Sequence, residues 1–124
     1  ETRLLAEYGD VDIALDPFPY NGGLTTCEAL WMGVPVLALL GGSMISRQSA
    51  SLLAAGGLGD WVATSEEDLL RKAVKWSRDR DALRSLRADI RERLLSSPLL
   101  DAAGFSLRFG ESLSEIGNED VGAR

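Results

Sequence analysis

Apolar residues are distributed along this chain in two different ways. Val11–Leu15 and Val34–Leu40 are nearly unbroken apolar runs, the pattern of strands covered on both faces of a sheet. Between them lies a loop rich in Pro and Gly, then a short stretch from Thr25 to Met32 closed by Gly33, which predicts a helix with a glycine stop. Strand, loop, helix and strand in that order make a βαβ unit. Upstream, Arg3–Tyr8 predicts the end of a helix stopped at Gly9-Asp10. Pro17 and Pro19 forbid regular structure and place Phe18, Tyr20 and Asn21 at the mouth of a crevice. Gly41-Gly42-Ser43 ends the second strand at the same sheet edge, so the two loops are expected to flank one crevice. Ser46 is placed to cap a helix over Arg47–Ala55, which stops at Gly56-Gly57, and Trp61-Val62-Ala63 predicts a short edge strand.

From residue 64 the period changes to that of helices. Thr64 and Glu67 form a capping box, and Leu69, Leu70, Ala73, Val74 and Ser77 mark one face of the helix it opens. Leu83, Leu86, Ile90 and Leu94 mark a second amphipathic helix. Its Arg84, Arg87, Arg91 and Arg93 alternate with Asp79, Asp81, Asp89 and Glu92, the pattern of a solvated, salt-bridged face. Pro98 breaks the run. Ala102–Ile116 predicts a last helix with Phe105, Leu107, Phe109 and Leu113 as apolar surface, and 117–124 is expected to be a disordered tail. The expected fold class is α/β: residues 1–63 as part of a Rossmann-like half with a parallel sheet, and 64–116 as C-terminal helices of the same domain. Trp31 is expected to bury against the sheet.

The loop before the first complete helix carries the candidate chemistry. Ligands of open α/β sheets sit at the carboxyl ends of parallel strands, against the exposed N–H groups of the next helix. Gly22 and Gly23 let a ligand approach the backbone, Thr25 and Thr26 add hydroxyls in the first turn, and Glu28 can accept bonds from paired sugar hydroxyls. These residues suit a nucleotide diphosphate. Thr25-x-x-Glu28 is equally a capping box, and Gly22-Gly23 can be only a turn, so spacing alone leaves both uses of Glu28 open. Arg47 offsets phosphate charge, pairs with a carboxylate or faces solvent. Phe18 and Tyr20 either stack on a ligand ring or pack the loop onto neighbouring helices.

The run Gly22, Thr25, Glu28, Ala29, Leu30, Gly33, Val34, Pro35 and Val36 resembles the donor-binding signature of GT-B glycosyltransferases. The longer string from Asp12 to Val36, with Ser46–Leu53 and Ser96–Ala102, is similar to the protein O-linked N-acetylglucosamine transferase family of SPINDLY type. The resemblance implies the C-terminal part of a GT-B Rossmann-like domain that holds a UDP-sugar and moves N-acetylglucosamine to Ser or Thr of proteins. It also implies that Asn21, Gly22, Gly23, Thr25 and Thr26 surround the donor diphosphate and that Glu28 accepts the ribose hydroxyls. Three positions depart from the family pattern. Leu24 stands where a Thr or similar small polar residue is usual, Leu4 where a His packs on the uracil, and Ser43-Met44-Ile45 where bacterial relatives carry a polar stretch with a His. No catalytic residue is assigned by these positions. The UDP-sugar enters as substrate, with no cofactor and no metal expected. Acceptor proteins would be engaged by N-terminal regions, because a chain that opens on Glu1 with its first strand ten residues later is expected to be the tail of a longer protein.

Composition narrows the classes. At 124 residues and 45% hydrophobic content the chain is one domain at most. Thirteen basic against nineteen acidic side chains, a net charge of −6, argue against a nucleic-acid partner. A single cysteine, Cys27, forms no internal disulfide and, with no histidine in the chain, has no imidazole to activate it. The absence of a membrane-length apolar stretch and of a signal-peptide pattern makes a cytoplasmic setting without membrane contact the expectation. The competing classes are a non-catalytic fragment or scaffolding module, and another GT-B enzyme with a different donor or acceptor.

Overall fold

A computed structural model of the chain describes residues 2–122. Three short parallel strands, β1 (Ala14–Leu15), β2 (Val36–Leu39) and β3 (Val62–Ala63), form a sheet in the order β1-β2-β3. Ala14 pairs with Val36 and Leu15 with Leu37 on one side of β2, and Ala38 with Val62 and Leu39 with Ala63 on the other. The helices are α1 (Thr2–Glu7), α2 (Leu24–Trp31), α3 (Gln48–Ala55), α4 (Glu66–Arg78), α5 (Arg80–Leu95) and α6 (Ala102–Gly122). Val36, Leu37 and Ala38 are all buried, as expected of a central strand covered on both faces.

The strands are shorter than the apolar runs that contain them. Val11 gives its amide to the Tyr8 carbonyl at 3.2 Å and Val34 gives its own to Ala29 at 2.8 Å, so each belongs to the turn preceding its strand. Pro35 has no N–H, and only its carbonyl joins the ladder, accepting from Ala14 at 2.9 Å.

Gly33 ends α2 as expected. It takes φ +75, its amide bonds to the Leu30 carbonyl at 3.0 Å, and the Val34 bond to Ala29 completes a Schellman closure. Gly57, at φ +71, closes α3 in the same way. The arginine face of α5 is more than a solvated surface. Arg87 donates to the Gly33 carbonyl at 3.2 Å and to Asp12 at 3.0 Å, and Arg91 donates to the Trp31 carbonyl at 2.9 Å. Both put positive charge on the negative end of α2. Trp31 is 40% exposed and lies under the Arg91 guanidinium, 4.8 Å from its ring centre, instead of burying against the sheet.

Leu83, Leu86, Ile90 and Leu94 of α5 are buried as their spacing predicts. On α4 the inward face is Leu69, Ala73 and Trp76, with Trp76 stacked on Trp61 at 4.7 Å. Leu70, Val74 and Ser77 point to solvent because the packing of Leu69, Ala73 and Trp76 on the core turns the neighbouring stripe outward. The helix also starts one residue later than the Thr64 box requires. Ser65 is its cap, accepting from the Asp68 amide at 3.1 Å. Ser46 does not cap α3: its hydroxyl closes the turn Met44–Ser46 by donating to the Ser43 carbonyl at 3.0 Å. The last helix continues past Ile116 to Gly122, so the expected tail is helical over 117–122. Gly117 does not take the positive φ that stops α2 and α3, and nothing else there breaks the helix. Residues 123–124 lie outside the described residues.

A Cβ on Gly33 would sit 2.9 Å from the Arg87 carbonyl oxygen at a left-handed φ. Gly33→Ala is therefore expected to cost about 1–3 kcal/mol. Gly59→Ala, which meets nothing within 4 Å, is expected to change stability by less than ~0.5 kcal/mol. Equilibrium unfolding in urea measures both, and equal costs would contradict the closure.

Candidate functional site

The loop from Asp16 to Gly23 leaves the carboxyl end of β1 and turns into α2. Asp16 extends the ladder, its amide donating to the Leu37 carbonyl at 3.0 Å. Its carboxylate Oδ1 accepts from the Gly22 amide at 2.9 Å. On the other side of Gly22, the carbonyl accepts from the Ser49 hydroxyl at 2.9 Å, and Ser49 lies 2.9 Å from the Thr26 hydroxyl. Asn21 is 1% exposed. Its amide donates to Ile45 at 3.1 Å and its side-chain Nδ2 to the Pro17 carbonyl at 3.1 Å. The Gly-rich loop and the turn at Met44–Ser46 thus meet at one edge, as expected.

At the opening of α2 no side chain caps the helix. Gly23 is the N-cap without a side-chain bond, and the first helical bond runs from the Cys27 amide to Gly23 at 3.2 Å. The amides of Leu24, Thr25 and Thr26 precede it. The Thr25–Glu28 capping box does not form because the helix begins at Leu24, which puts Thr25 inside the first turn. Glu28 is left half-buried on the wall of an apolar groove of about 400 Å³, beside Leu24, Trp31, Leu99 and Leu100.

The six candidate residues therefore divide. Thr25 and Glu28 reach the surface, and Gly23 is half-buried at the helix opening. Asn21, Gly22 and Thr26 are buried, Thr26 with only 3% exposure and its hydroxyl turned to Ser49. A Cβ on Gly22 would lie 2.6 Å from the Thr26 hydroxyl and 2.7 Å from that of Thr25, so glycine here makes room for side chains of the same chain. A small crevice of about 190 Å³ lies beside them, lined by Tyr8, Asp16, Pro17, Thr25, Thr26 and Val36. Tyr8 donates to the Thr25 carbonyl at 3.5 Å. Phe18 and Tyr20 are exposed and do not pack the loop down. Arg47 donates to the Gly41 carbonyl at 3.0 Å and, among the described residues, pairs with no carboxylate.

Asp16 and Ser49 are the residues that local pattern did not single out. An acid standing directly after a strand and before a proline was the available signal for Asp16. Ser49 had only its place among small residues on the helix that follows. Burial holds the Asp16 carboxyl above its ordinary value, against the lowering effect of the Gly22 amide. Burial also raises the Cys27 thiol, which favours its protonated form. Among the described residues no three His, Cys, Asp or Glu side chains gather as metal ligands, and no helix is long and apolar enough to cross a membrane.

A parallel sheet with a glycine-rich loop feeding an uncapped helix start is the ligand-facing edge of a Rossmann-like half-domain. Comparison with known proteins narrows this. The model of glycosyl transferase family 41 matches residues 8–108, and the chain belongs to that family. It is 45% identical over 98 residues to a probable UDP-N-acetylglucosamine–peptide N-acetylglucosaminyltransferase SPINDLY of Eustoma exaltatum subsp. russellianum, covering 79% of this chain and 11% of that protein. To the SPINDLY protein of Hordeum vulgare it is 40% identical over 99 residues, 80% of this chain and 10% of that one. Among solved structures, a mutant O-GlcNAc transferase of Thermobaculum terrenum superposes with a TM-score of 0.83 at 40% identity, over 91% of this chain and 22% of that one. The fold is thus the C-terminal part of a GT-B domain, and the chain spans about a tenth of the curated relatives' length.

Thr26→Val leaves the Ser49 hydroxyl without its donor and is expected to cost about 1–2 kcal/mol. The same change at exposed Thr25 is expected to cost under ~0.5 kcal/mol, and equal losses in denaturant unfolding would contradict the assigned orientations. A second expectation concerns pH. Because the folded chain holds the Asp16 proton more tightly than the unfolded chain, protonation favours the fold. As pH falls from neutral through the raised value toward the ordinary one, wild type gains stability relative to Asp16→Asn, and below both values the difference levels off. Melting temperatures across that range test the sign.

Proposed function

We propose that this chain is the donor-side portion of a glycosyltransferase that moves N-acetylglucosamine from UDP-N-acetylglucosamine to Ser or Thr of proteins. The observation that carries this is the uncapped opening of α2, with Thr25 exposed, where two loops meet at the carboxyl ends of parallel strands. In this reading the amides of Leu24, Thr25 and Thr26 and the Thr25 hydroxyl hold the diphosphate. They also stabilise the negative charge that grows on it as the sugar leaves. Glu28 accepts the ribose hydroxyls, while Asn21, Gly22, Gly23 and Thr26 shape the loop. The donor is a substrate, and acceptor proteins are engaged by parts of the enzyme outside this segment. The names of the SPINDLY relatives and the transferase likeness support the donor and the sugar.

A module that binds donor weakly is the second reading, favoured by Leu24. Its side chain is 74% exposed at the first turn and offers no hydroxyl to a phosphate. Calorimetric titration with UDP separates the two, on this chain and on a version extended N-terminally by the matching domain of the Thermobaculum terrenum relative. Thr25→Val and Glu28→Ala are each expected to weaken binding about tenfold or more. No binding by either version would overturn the transferase reading.

A further inference from the structure

We propose that Asp16 and Ser49 are positioning residues for donor binding, holding the amide and the carbonyl of Gly22 between them and so fixing the direction in which the opening amides of α2 point. The proposal rests on the donor-binding reading above. Gly22 is followed by Gly23, the N-cap, and two consecutive glycines have the widest backbone freedom of any dipeptide. Left to itself, this stretch would enter the helix from many directions. Instead, both polar groups of Gly22 are bonded by side chains from different elements, the end of β1 and the buried face of α3, each at 2.9 Å.

The hydrogen-bond direction is determined. A serine has one proton to give, and Ser49 gives it to the Gly22 carbonyl, so the Thr26 hydroxyl must donate to Ser49. That chain ties the residue before the N-cap to the first turn of the helix through a side chain that is fully buried. Neither Ser49 nor the Gly22 amide is left to contact a ligand.

Asp16 is an expensive way to satisfy one amide. Its Oδ2 is buried with no protein partner, and an unpaired buried carboxylate oxygen destabilises the fold. A carboxylate near a diphosphate also repels it. Both costs are accounted for if the acid acts on the backbone: by taking the Gly22 amide it leaves the later amides, those of Leu24, Thr25 and Thr26, as the anion-facing set.

The test is UDP titration of the chain labelled with 15N, comparing wild type with Asp16→Ala, Asp16→Asn and Ser49→Ala. Core amide resonances of β2 and α5 report whether each variant is folded. Asp16→Ala and Ser49→Ala are expected to weaken UDP about tenfold, while Asp16→Asn, which keeps an oxygen acceptor for Gly22, stays within about threefold of wild type. That rescue is the outcome a general packing role would not give. A folded Asp16→Ala or Ser49→Ala with wild-type affinity overturns the proposal, as does an Asp16→Asn as weak as Asp16→Ala. If Asp16→Ala does not fold, Ser49→Ala and Asp16→Asn carry the same decision. If wild type itself shows no UDP response, the donor-binding reading fails for this chain, and hydrogen exchange at the Gly22 amide then decides the clamp. Protection in wild type and Asp16→Asn that is lost in Asp16→Ala upholds the clamp, and equal exchange in all three overturns it.

Discussion

The opening of α2 carries no capping side chain, and the surrounding structure is what holds that helix in place. A glycine cap costs only roughly a few tenths of a kcal/mol relative to a capping side chain, but the first amides remain without intrahelical partners. Stabilisation is supplied from the other end and from below. Gly33 closes the last turn, Arg87 and Arg91 reach across from α5 to the Gly33 and Trp31 carbonyls, and Ala29 and Leu30 are buried in the core. Charge-assisted bonds to a helix C-terminus are stronger than neutral ones and act with the helix dipole. The positive end of α2 can therefore stay open without the helix fraying.

The parallel sheet explains why that opening lies where it does. All three strands run the same way, so the loops after β1 and β2 emerge at one edge, and the bond from the Asn21 amide to Ile45 joins them. The loop is short and its donors are committed: the Asn21 amide and Nδ2 to Ile45 and Pro17, and the Gly22 amide to Asp16, while the buried Asp16 Oδ2 and Asn21 Oδ1 accept no bond from the protein. The donors that remain uncommitted are those of the first turn itself. This is the arrangement by which a fold presents backbone donors to an anion with no rearrangement on binding.

Much of this was legible locally. The βαβ unit, the glycine stop of α2 and the buried stripe of α5 follow from periodicity and from Gly33, because they depend on residues within one or two turns of each other. The departures have two causes. One is a shift at helix starts, by two residues at α2, where Gly23 rather than Thr25 is the cap, and by one at α4, where Ser65 rather than Thr64 is. Each alternative was a chemically acceptable cap, and local sequence does not choose between them. The other is distance along the chain. The Ser49 bond to Gly22 spans 27 residues and the Arg87 bond to Gly33 spans 54, so no local pattern shows that a serine on one helix or an arginine on another serves the loop and turn around α2. The same holds for Trp31, whose exposed ring is covered by Arg91 from α5.

Thr25 and Thr26 show how far a motif can be carried onto a structure. They are adjacent and chemically identical, yet successive residues on a helix point about 100° apart, and here one faces outward while the other faces α3. In this chain the Thr26 hydroxyl belongs to the scaffold, and that of Thr25 is the one left at the surface. Leu24 lies a similar angle away on the other side and, four residues before Glu28, shares its face along the apolar groove. If Glu28 holds a ribose, a nucleotide whose diphosphate rests on the opening amides must pass over the Leu24 side chain. Apolar contact with the sugar would there stand in place of a hydroxyl bond to phosphate, shifting affinity from charge toward surface burial and making it less sensitive to salt.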